Sequence, residues 1–273
     1  MSGLPVFVHL RAARGWDWVI NAHALFARTR LYWLLLILSY WLITIMLTVV
    51  PVVGVVAATL LKPVFAVGFL AAAWAQERGE APHLSRLFAG FRSNIRALLP
   101  LGVVYAAGIA LALAISSTMD GGVLMRMVLL GDAPQGNVMA IPGIKSAMLL
   151  AALCAVPTLL ALWFAPALIV FQDQPTFTAL GLSLRAALTN LSAVMIYAMS
   201  IFLFWVVIPG IIISLSAMLF GETGALFGVA VATPITLSVV AVIHIADYVV
   251  YRDLFHHGEA VERGNAPTPI SRE

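Results

Sequence analysis

This chain has very little charge for its length. Only 10% of its 273 residues are Asp, Glu, Lys or Arg, and 62% are hydrophobic. An ordinary soluble domain carries roughly 25% charged residues. So few charges cannot cover the surface of a water-soluble protein of this size. The composition therefore excludes a soluble globular protein and favours a single membrane domain, with no room beside it for a soluble enzyme domain.

Redox and catalytic signatures are also missing. The single cysteine, Cys154, lies in an apolar run and has no partner for an intrachain disulfide. The sequence contains no H-E-x-x-H, no G-x-S-x-G, no phosphate-binding Gly-Lys-Ser/Thr loop and no paired acidic residues within an apolar run. An enzyme acting within the membrane would place two or more convergent polar groups at that depth. We therefore expect no catalytic residue, no metal and no cofactor.

What the chain has instead is a set of long charge-free runs. A helix needs about 20 apolar residues to cross a ~30 Å hydrocarbon core, and helices satisfy their own backbone hydrogen bonds there. The runs predict an all-α, polytopic bundle with six transmembrane helices at 31–50, 53–75, 98–117, 147–170, 191–215 and 225–246. Residues 1–255 are then one transmembrane domain, and 256–273 a disordered cytoplasmic tail.

The distribution of arginine orients these spans. One side of the membrane receives only Arg126 and Lys145. Because Lys and Arg accumulate on the cytoplasmic side, both termini are expected in the cytoplasm of a bacterium, with the chain in its inner membrane. The net charge of +3 does not indicate a nucleic-acid partner, since the basic residues are spread along the membrane flanks. The expected cytoplasmic set is Arg11, Arg14, Arg28, Arg30, Arg78, Arg86, Arg92, Arg96, Arg185, Arg252, Arg263 and Arg272.

Three segments outside the spans combine an apolar stripe at helical spacing with arginine on the opposite face. They lie at 16–26, 84–98 and 177–191 and are predicted to be amphipathic helices in the membrane interface. A short helix is also predicted at 123–130. Each segment with the two spans after it forms a unit, at 13–76, 81–171 and 176–250. Both an internal repeat and a set of unrelated basic connectors explain this pattern.

Four stretches, taken in this order and spacing, resemble an uncharacterised family of six-span inner-membrane proteins of proteobacteria. That family is distantly similar to the membrane domain fused to some glycerophosphodiester phosphodiesterases. The resemblance covers residues from about 11 to 256 and implies a bacterial inner-membrane protein. It implies no phosphodiesterase activity, because the catalytic domain is absent, and it names no functional residue. The stretches are Gly15-Trp16-Asp17-Trp18-Val19, Leu87-Phe88-Ala89-Gly90-Phe91-Arg92, Trp163-Phe164-Ala165-Pro166-Ala167-Leu168 and Tyr251-Arg252-Asp253-Leu254-Phe255.

Lys62 is the first candidate for a functional residue. It lies about nine residues into the second span, about 13 Å deep, where a charge costs roughly 2.5–3.5 kcal/mol. Pro63 leaves the Thr59 carbonyl without its helical donor, so Lys62 and Thr59 are candidate ligands for an anion or a lipid phosphate. Two other interpretations stay open. Lys62 extends to the headgroups, or it forms an ion pair with Asp120 or Glu222 at the ends of spans three and five.

Prolines and small residues predict how the spans bend and pack. Pro157 and Pro166 flank Trp163 in span four and would shape a cavity there, which adds Trp163 to the candidate ligand-binding residues. Small residues in span three favour close packing against a neighbouring helix: Gly102, Ala106, Ala107, Gly108 and Ala110.

His244 and Asp247 lie three residues apart near the end of span six and share one helix face. They fit either a proton relay or an ordinary helix end among the headgroups beside an aromatic belt. Two such residues are too few for a metal site.

Three functions fit the sequence. The first, which we expect, is a non-enzymatic scaffold, accessory or lipid-organising component, whose partners are membrane lipids and another membrane protein or a second copy. The short loops, the missing catalytic groups and the large helical interfacial surface favour it. The second is a transporter or channel for a small anionic or amphipathic solute, with Lys62 as the docking charge. The third is an intramembrane enzyme acting on lipids.

Overall fold

The computed structural model describes residues 6–50, 53–132, 134 and 136–256, and over these ranges it is all-helical. The predicted disordered tail lies outside the described residues from 257 onward. The 310 helix Leu84–Arg92 is called the strap below. The α-helices are α1 (Arg14–Arg28), α2 (Arg30–Thr48), α3 (Val53–Glu77), α4 (Ile95–Asp120), α5 (Val123–Leu130), α6 (Ile144–Trp163), α7 (Ala165–Gln172), α8 (Thr176–Thr189), α9 (Leu191–Phe202) and α10 (Ile208–Phe255).

Within the described ranges, five helical stretches are long and apolar enough to cross a membrane. The first four contain the predicted spans one to four to within about three residues, and α5 matches the predicted short helix. The fifth stretch is 65 residues long, about three times the length of one crossing, and contains both remaining predicted spans. The five stretches are Arg30–Thr48, Val53–Glu77, Ile95–Asp120, Ile144–Gln172 and Leu191–Phe255.

The fifth stretch folds back on itself at Gly221. A π-helical turn, Leu203–Val207, first joins α9 to α10. Gly221 then leaves the helical conformation, with φ 64° and ψ −145°, a region that favours glycine. A Cβ atom placed on Gly228 would lie 2.8 Å from the Cα of Ile213, although a straight helix would hold these residues about 22 Å apart. The arms 208–220 and 222–255 therefore pack side by side.

The fourth stretch is broken between α6 and α7 at Phe164. Pro166 lies in the first turn of α7, where its missing N–H costs nothing. The break frees backbone groups, and Ser183 from α8 satisfies two of them. Its Oγ accepts from the Phe164 N–H at 3.0 Å and donates to the Leu160 carbonyl at 2.7 Å. A side chain from a neighbouring helix thus makes the break tolerable inside an apolar bundle.

Each of the three connecting segments packs mainly on a hairpin other than the one it precedes. Helix α1 packs on α9 and α10, the strap packs on α3 and α2, and α8 packs on α6 and α7. The first unit therefore docks on the third, the second on the first, and the third on the second. This order closes a ring and gives the three predicted units one shared arrangement.

The prediction of a single amphipathic α-helix over 84–98 is wrong. The strap is a 310 helix that ends at Arg92, and α4 begins separately at Ile95. With three residues per turn, a 310 helix aligns Leu84, Leu87 and Gly90 on one edge. Leu87 and Gly90 are the buried residues of the strap, and they pack against α3. The tight contact with α3 therefore selects the 310 form.

The apolar face of α1 also differs from the prediction, because most of it packs on protein. Trp18, Val19, Ala22, Leu25 and Phe26 are buried, and α9 and α10 supply the main contact surface. In α8 the buried residues are mostly small: Ala179, Leu182, Ser183, Ala186 and Ala187.

The predicted close packing of span three is confirmed at Gly102. A Cβ atom there would lie 2.5 Å from the Cα of Leu60. Helix α4 therefore approaches α3 backbone to backbone at this point, as small residues in membrane helices allow.

Candidate functional site

Lys62 lies against α4. Its Nζ donates a hydrogen bond to the Tyr105 hydroxyl at 2.9 Å and lies 4.2 Å from the centre of the Tyr105 ring. The hydroxyl and the ring face both stabilise the ammonium group, the second through a cation–π interaction. The Lys62 side chain is exposed on the protein surface. Tyr105 is thus the partner of Lys62, and no pattern in the sequence marks it.

The other residues grouped with Lys62 have local roles. The Thr59 hydroxyl donates to a carbonyl of its own helix at 2.8 Å. Asp120 accepts two backbone N–H bonds at the start of α5, at 2.8 and 2.7 Å. Glu222 is exposed beside the Gly221 fold-back. Across the described residues, no ion pair within 4.0 Å joins Lys62 to Asp120 or Glu222.

The structure brings Trp163 together with His244 and Asp247. Trp163 Nε1 donates to Asp247 at 2.8 Å, and the His244 Nδ1 lies 3.7 Å from the other carboxylate oxygen. The Trp163 ring stacks on Tyr197 at 5.5 Å, and the His244 ring stacks on Phe69 at 4.0 Å. Aromatic rings thus surround Trp163, and it lines neither of the cavities described below. The indole holds Asp247 in a fixed position beside His244.

A second charged cluster lies where the ends of α1, α3 and α10 meet, here called the Arg-rich end. Asp253 is buried and accepts from Arg14 Nη2 at 2.5 Å and Nε at 3.0 Å. Such two-point contacts are among the strong hydrogen bonds of proteins. Trp18 Nε1 donates to the same carboxylate at 2.8 Å. The hydrogen bond to Asp253 raises the pKa of the Arg14 guanidinium above its ordinary value.

Two further contacts close the Arg-rich end. Glu77, at the end of α3, pairs with Arg252 and accepts from the Tyr248 hydroxyl at 2.6 Å. The buried Gln76 accepts from Trp33 Nε1 at 2.6 Å and donates to a backbone carbonyl of α1. Sequence reasoning missed these contacts because the partners are distant in the chain. The one available signal was that Trp18, Arg252 and Asp253 all lie within the stretches that carry the family resemblance.

An apolar cavity of about 600 Å³ lies between α1, the π-helical turn and the second arm of α10. Its volume falls within the range typical of ligand-binding pockets, roughly 300–1,000 Å³. His23 and Ser238 are the polar residues among its walls, and the Ser238 hydroxyl already donates to the Pro234 carbonyl at 2.8 Å. The lining residues are Trp16, Val19, Ile20, His23, Ile201, Phe204, Pro234, Ile235, Ser238, Val239 and Val242.

Comparison with known proteins identifies the family of this chain. No protein-family model matches the chain, and no solved structure matches it. A curated relative, a probable inner membrane protein of Burkholderia thailandensis, is 30% identical over 254 residues, which are 91% of this chain and 93% of the relative. The distant similarity to the phosphodiesterase membrane domain stays a prediction. The chain is a multi-pass membrane protein, and it belongs to the same family of bacterial inner membrane proteins as this relative.

Proposed function

We propose that the protein is a non-enzymatic, lipid-organising component of the inner membrane, and that the cavity beside α1 holds a lipid acyl chain. The observation that carries the proposal is the cavity itself, which is walled almost entirely by hydrocarbon. A ligand without hydrogen-bonding groups fits such walls, because they offer few polar partners.

The shape and setting of the cavity favour an acyl chain over a compact solute. Along α10 its wall runs from Pro234 to Val242, about 12 Å at 1.5 Å per residue. Trp16 and Ile20 on α1 are 43% and 49% exposed, so the cavity borders a surface that acyl chains would cover. The Ser238 hydroxyl already donates to a backbone carbonyl, so the His23 side chain is the group that could form a hydrogen bond with a ligand.

The position of Lys62 supports this function over a transporter. A docking charge for a solute would line an enclosed path, whereas Lys62 is exposed and held by Tyr105. Lys62 is not among the residues that line the apolar cavity.

Filling the cavity is expected to release lipid. Val239→Phe places a ring in the cavity and should lower the amount of lipid that stays bound after gentle detergent extraction by about one molecule per protein. Native mass spectrometry measures this. Val229→Phe, in the same helix but 48% exposed and outside the cavity, is the matched control. Ser238→Phe repeats the test if Val239→Phe melts early. Equal lipid retention in folded cavity and control variants would contradict the proposal.

We also propose that the chain crosses the membrane six times, with both termini in the cytoplasm. The fold-back at Gly221 supports this, because it turns one 65-residue stretch into two antiparallel arms. The concentration of arginine at one end of the helices supports the orientation.

Cysteine labelling is expected to place the Gly221 fold-back in the periplasm. In a Cys154→Ala background, Glu222→Cys should react with a membrane-impermeant maleimide in cells whose outer membrane alone is permeable. Gln174→Cys, in the α7–α8 connection, should react only after the inner membrane is broken. The reverse pattern, or labelling of both from one side, would rule out the proposed topology.

A further inference from the structure

The 310 form of the strap places two arginines on one edge. Arg86, Ala89 and Arg92 are each three residues apart, so they line up when a helix has three residues per turn. In an α-helix, Arg86 and Arg92 would lie about 120° apart around the axis. At a rise of about 2.0 Å per residue, their Cα atoms are about 12 Å apart with only a methyl group between them. This edge of the strap therefore has a gap in its middle, and a guanidinium group lies on each side of the gap.

This edge forms one wall of a second cavity, of about 360 Å³, between the strap, α3 and α7. The walls of this cavity differ in polarity. The strap side carries hydroxyls and nitrogen donors, and the α3 and α7 sides are apolar. The polar lining residues are His83, Ser85, Arg86, Arg92 and Ser93, and the apolar ones are Val67, Ala71, Ala89, Val170 and Phe171.

The charge of the cavity is positive. No carboxylate is among its lining residues. Glu80, just outside, pairs with Arg86 at 2.7 Å and offsets one of the two guanidinium charges. That pair is partly exposed, with side-chain exposures of 35% and 45%, so it is weak and an incoming anion competes with it at little cost. Arg92 adds a second guanidinium, and each guanidinium group can donate two parallel hydrogen bonds to phosphate oxygens.

We propose that this cavity binds the phosphate of an anionic phospholipid. The two arginines and the Ser85 hydroxyl contact the phosphate oxygens, since the Ser93 hydroxyl already donates to the Ala89 carbonyl at 3.0 Å. The apolar walls of α3 and α7 contact the first part of the acyl chains. Basic pockets between membrane helices on the cytoplasmic side are suited to such headgroups. The site shares no residue with the apolar cavity beside α1, so either proposal can fail without the other.

The test measures binding of fluorescently labelled phosphatidylglycerol to the purified full chain in detergent micelles, with labelled phosphatidylcholine as the zwitterionic comparison. Arg86→Gln with Arg92→Gln should weaken phosphatidylglycerol binding about tenfold or more and leave phosphatidylcholine binding unchanged. Ala89→Leu should do the same without a change in charge, because it fills the gap. Arg96→Gln removes a nearby exposed arginine outside the cavity and should have little effect.

A parallel titration with inorganic phosphate identifies the source of the anion. Displacement of the labelled lipid only at high phosphate concentration supports a lipid that uses both the basic and the apolar walls. Displacement by phosphate alone at the concentration at which the lipid binds overturns the lipid assignment, because the apolar walls then contribute nothing. Unchanged phosphatidylglycerol binding in the folded double variant and in Ala89→Leu overturns the site itself.

Discussion

Asp253→Ala is expected to destabilise the protein by about 2–4 kcal/mol, somewhat less than removal of one partner from a fully buried ion pair, because the Arg14 side chain is 32% exposed and can be hydrated. Asp253 is 7% exposed and accepts from both Arg14 and Trp18. The substitution leaves the Arg14 guanidinium without its main partner. It also leaves the fully buried Trp18 with an unpaired N–H, which alone costs about 1–3 kcal/mol. Unfolding by SDS in mixed micelles, followed by tryptophan fluorescence, measures the change.

Asp17 supplies the matched control for this prediction. It contacts the same arginine, at 3.5 Å, but its side chain is 44% exposed. Exposed ion pairs contribute about 0–1 kcal/mol, so Asp17→Ala should change stability by less than about 1 kcal/mol. Equal effects of the two substitutions would show that burial at the Arg-rich end does not set the strength of the Arg14 contacts.

The consequence of losing Asp253 extends to the chain before α1. The Val8 N–H donates to the Leu254 carbonyl at 3.1 Å, and the Asn190 side chain accepts from the Leu10 N–H at 2.7 Å. These bonds close the ring of units by holding the N-terminal segment on the third hairpin. Release of α1 from α10 therefore loosens the contact on which ring closure depends.

Most of the membrane-spanning helices can be predicted from the sequence, because the hydrocarbon core of a bilayer permits very few backbone conformations. Charge-free runs in lipid must be helical, so the runs locate α2, α3, α4 and the α6–α7 pair within about three residues. The fold-back also follows from the sequence, since Glu222 separates the charge-free runs of spans five and six and lies between Gly221 and Gly224.

The orientation of each connecting segment did not follow from periodicity. A stripe at spacings of three and four shows that one face is apolar, but both lipid and protein are apolar neighbours. In α8 two large residues of the stripe are exposed, Phe177 by 80% and Leu188 by 52%. The buried side chains of this helix are Ala179, Leu182, Ser183, Ala186 and Ala187. Four of these five side chains are small, as close packing of membrane helices favours, so the spacing of the large apolar residues does not show which face α8 buries.

The residues of the candidate site were predicted less well than the membrane-spanning helices, because their contacts also depend on how the helices pack. Lys62 attracts notice because it is the lone charge inside a span, yet it lies on the surface with Tyr105. Asp253 and Arg14 resemble ordinary boundary residues, and 239 positions separate them in the chain. Only the ring arrangement of the three units brings them together, and no local pattern encodes that arrangement.

Gly68→Ala is expected to cost about 1–3 kcal/mol, as overpacking of a close contact does. Gly68 lies in the middle of α3, directly beneath the strap. An added Cβ atom would lie 2.7 Å from the Leu87 carbonyl carbon and 2.8 Å from the Leu87 Cα. Both are backbone atoms, which cannot rotate aside as a flexible side chain does. The strap must therefore move away from α3 as a unit.

Gly181→Ala is the matched control, and it is expected to change the stability of the protein in the opposite direction. Gly181 also lies inside a helix, α8, but a Cβ atom there would meet nothing within 4 Å. Alanine is favoured over glycine in a helix by about 1 kcal/mol, so this variant should melt at or above the wild-type temperature while Gly68→Ala melts below it.

Because the strap carries Arg86 and Arg92, Gly68→Ala should also weaken phosphatidylglycerol binding, and Gly181→Ala should not. A Gly68→Ala protein as stable as Gly181→Ala would mean that the strap does not rest on the backbone of α3, and the aligned arginine edge would lose its structural basis.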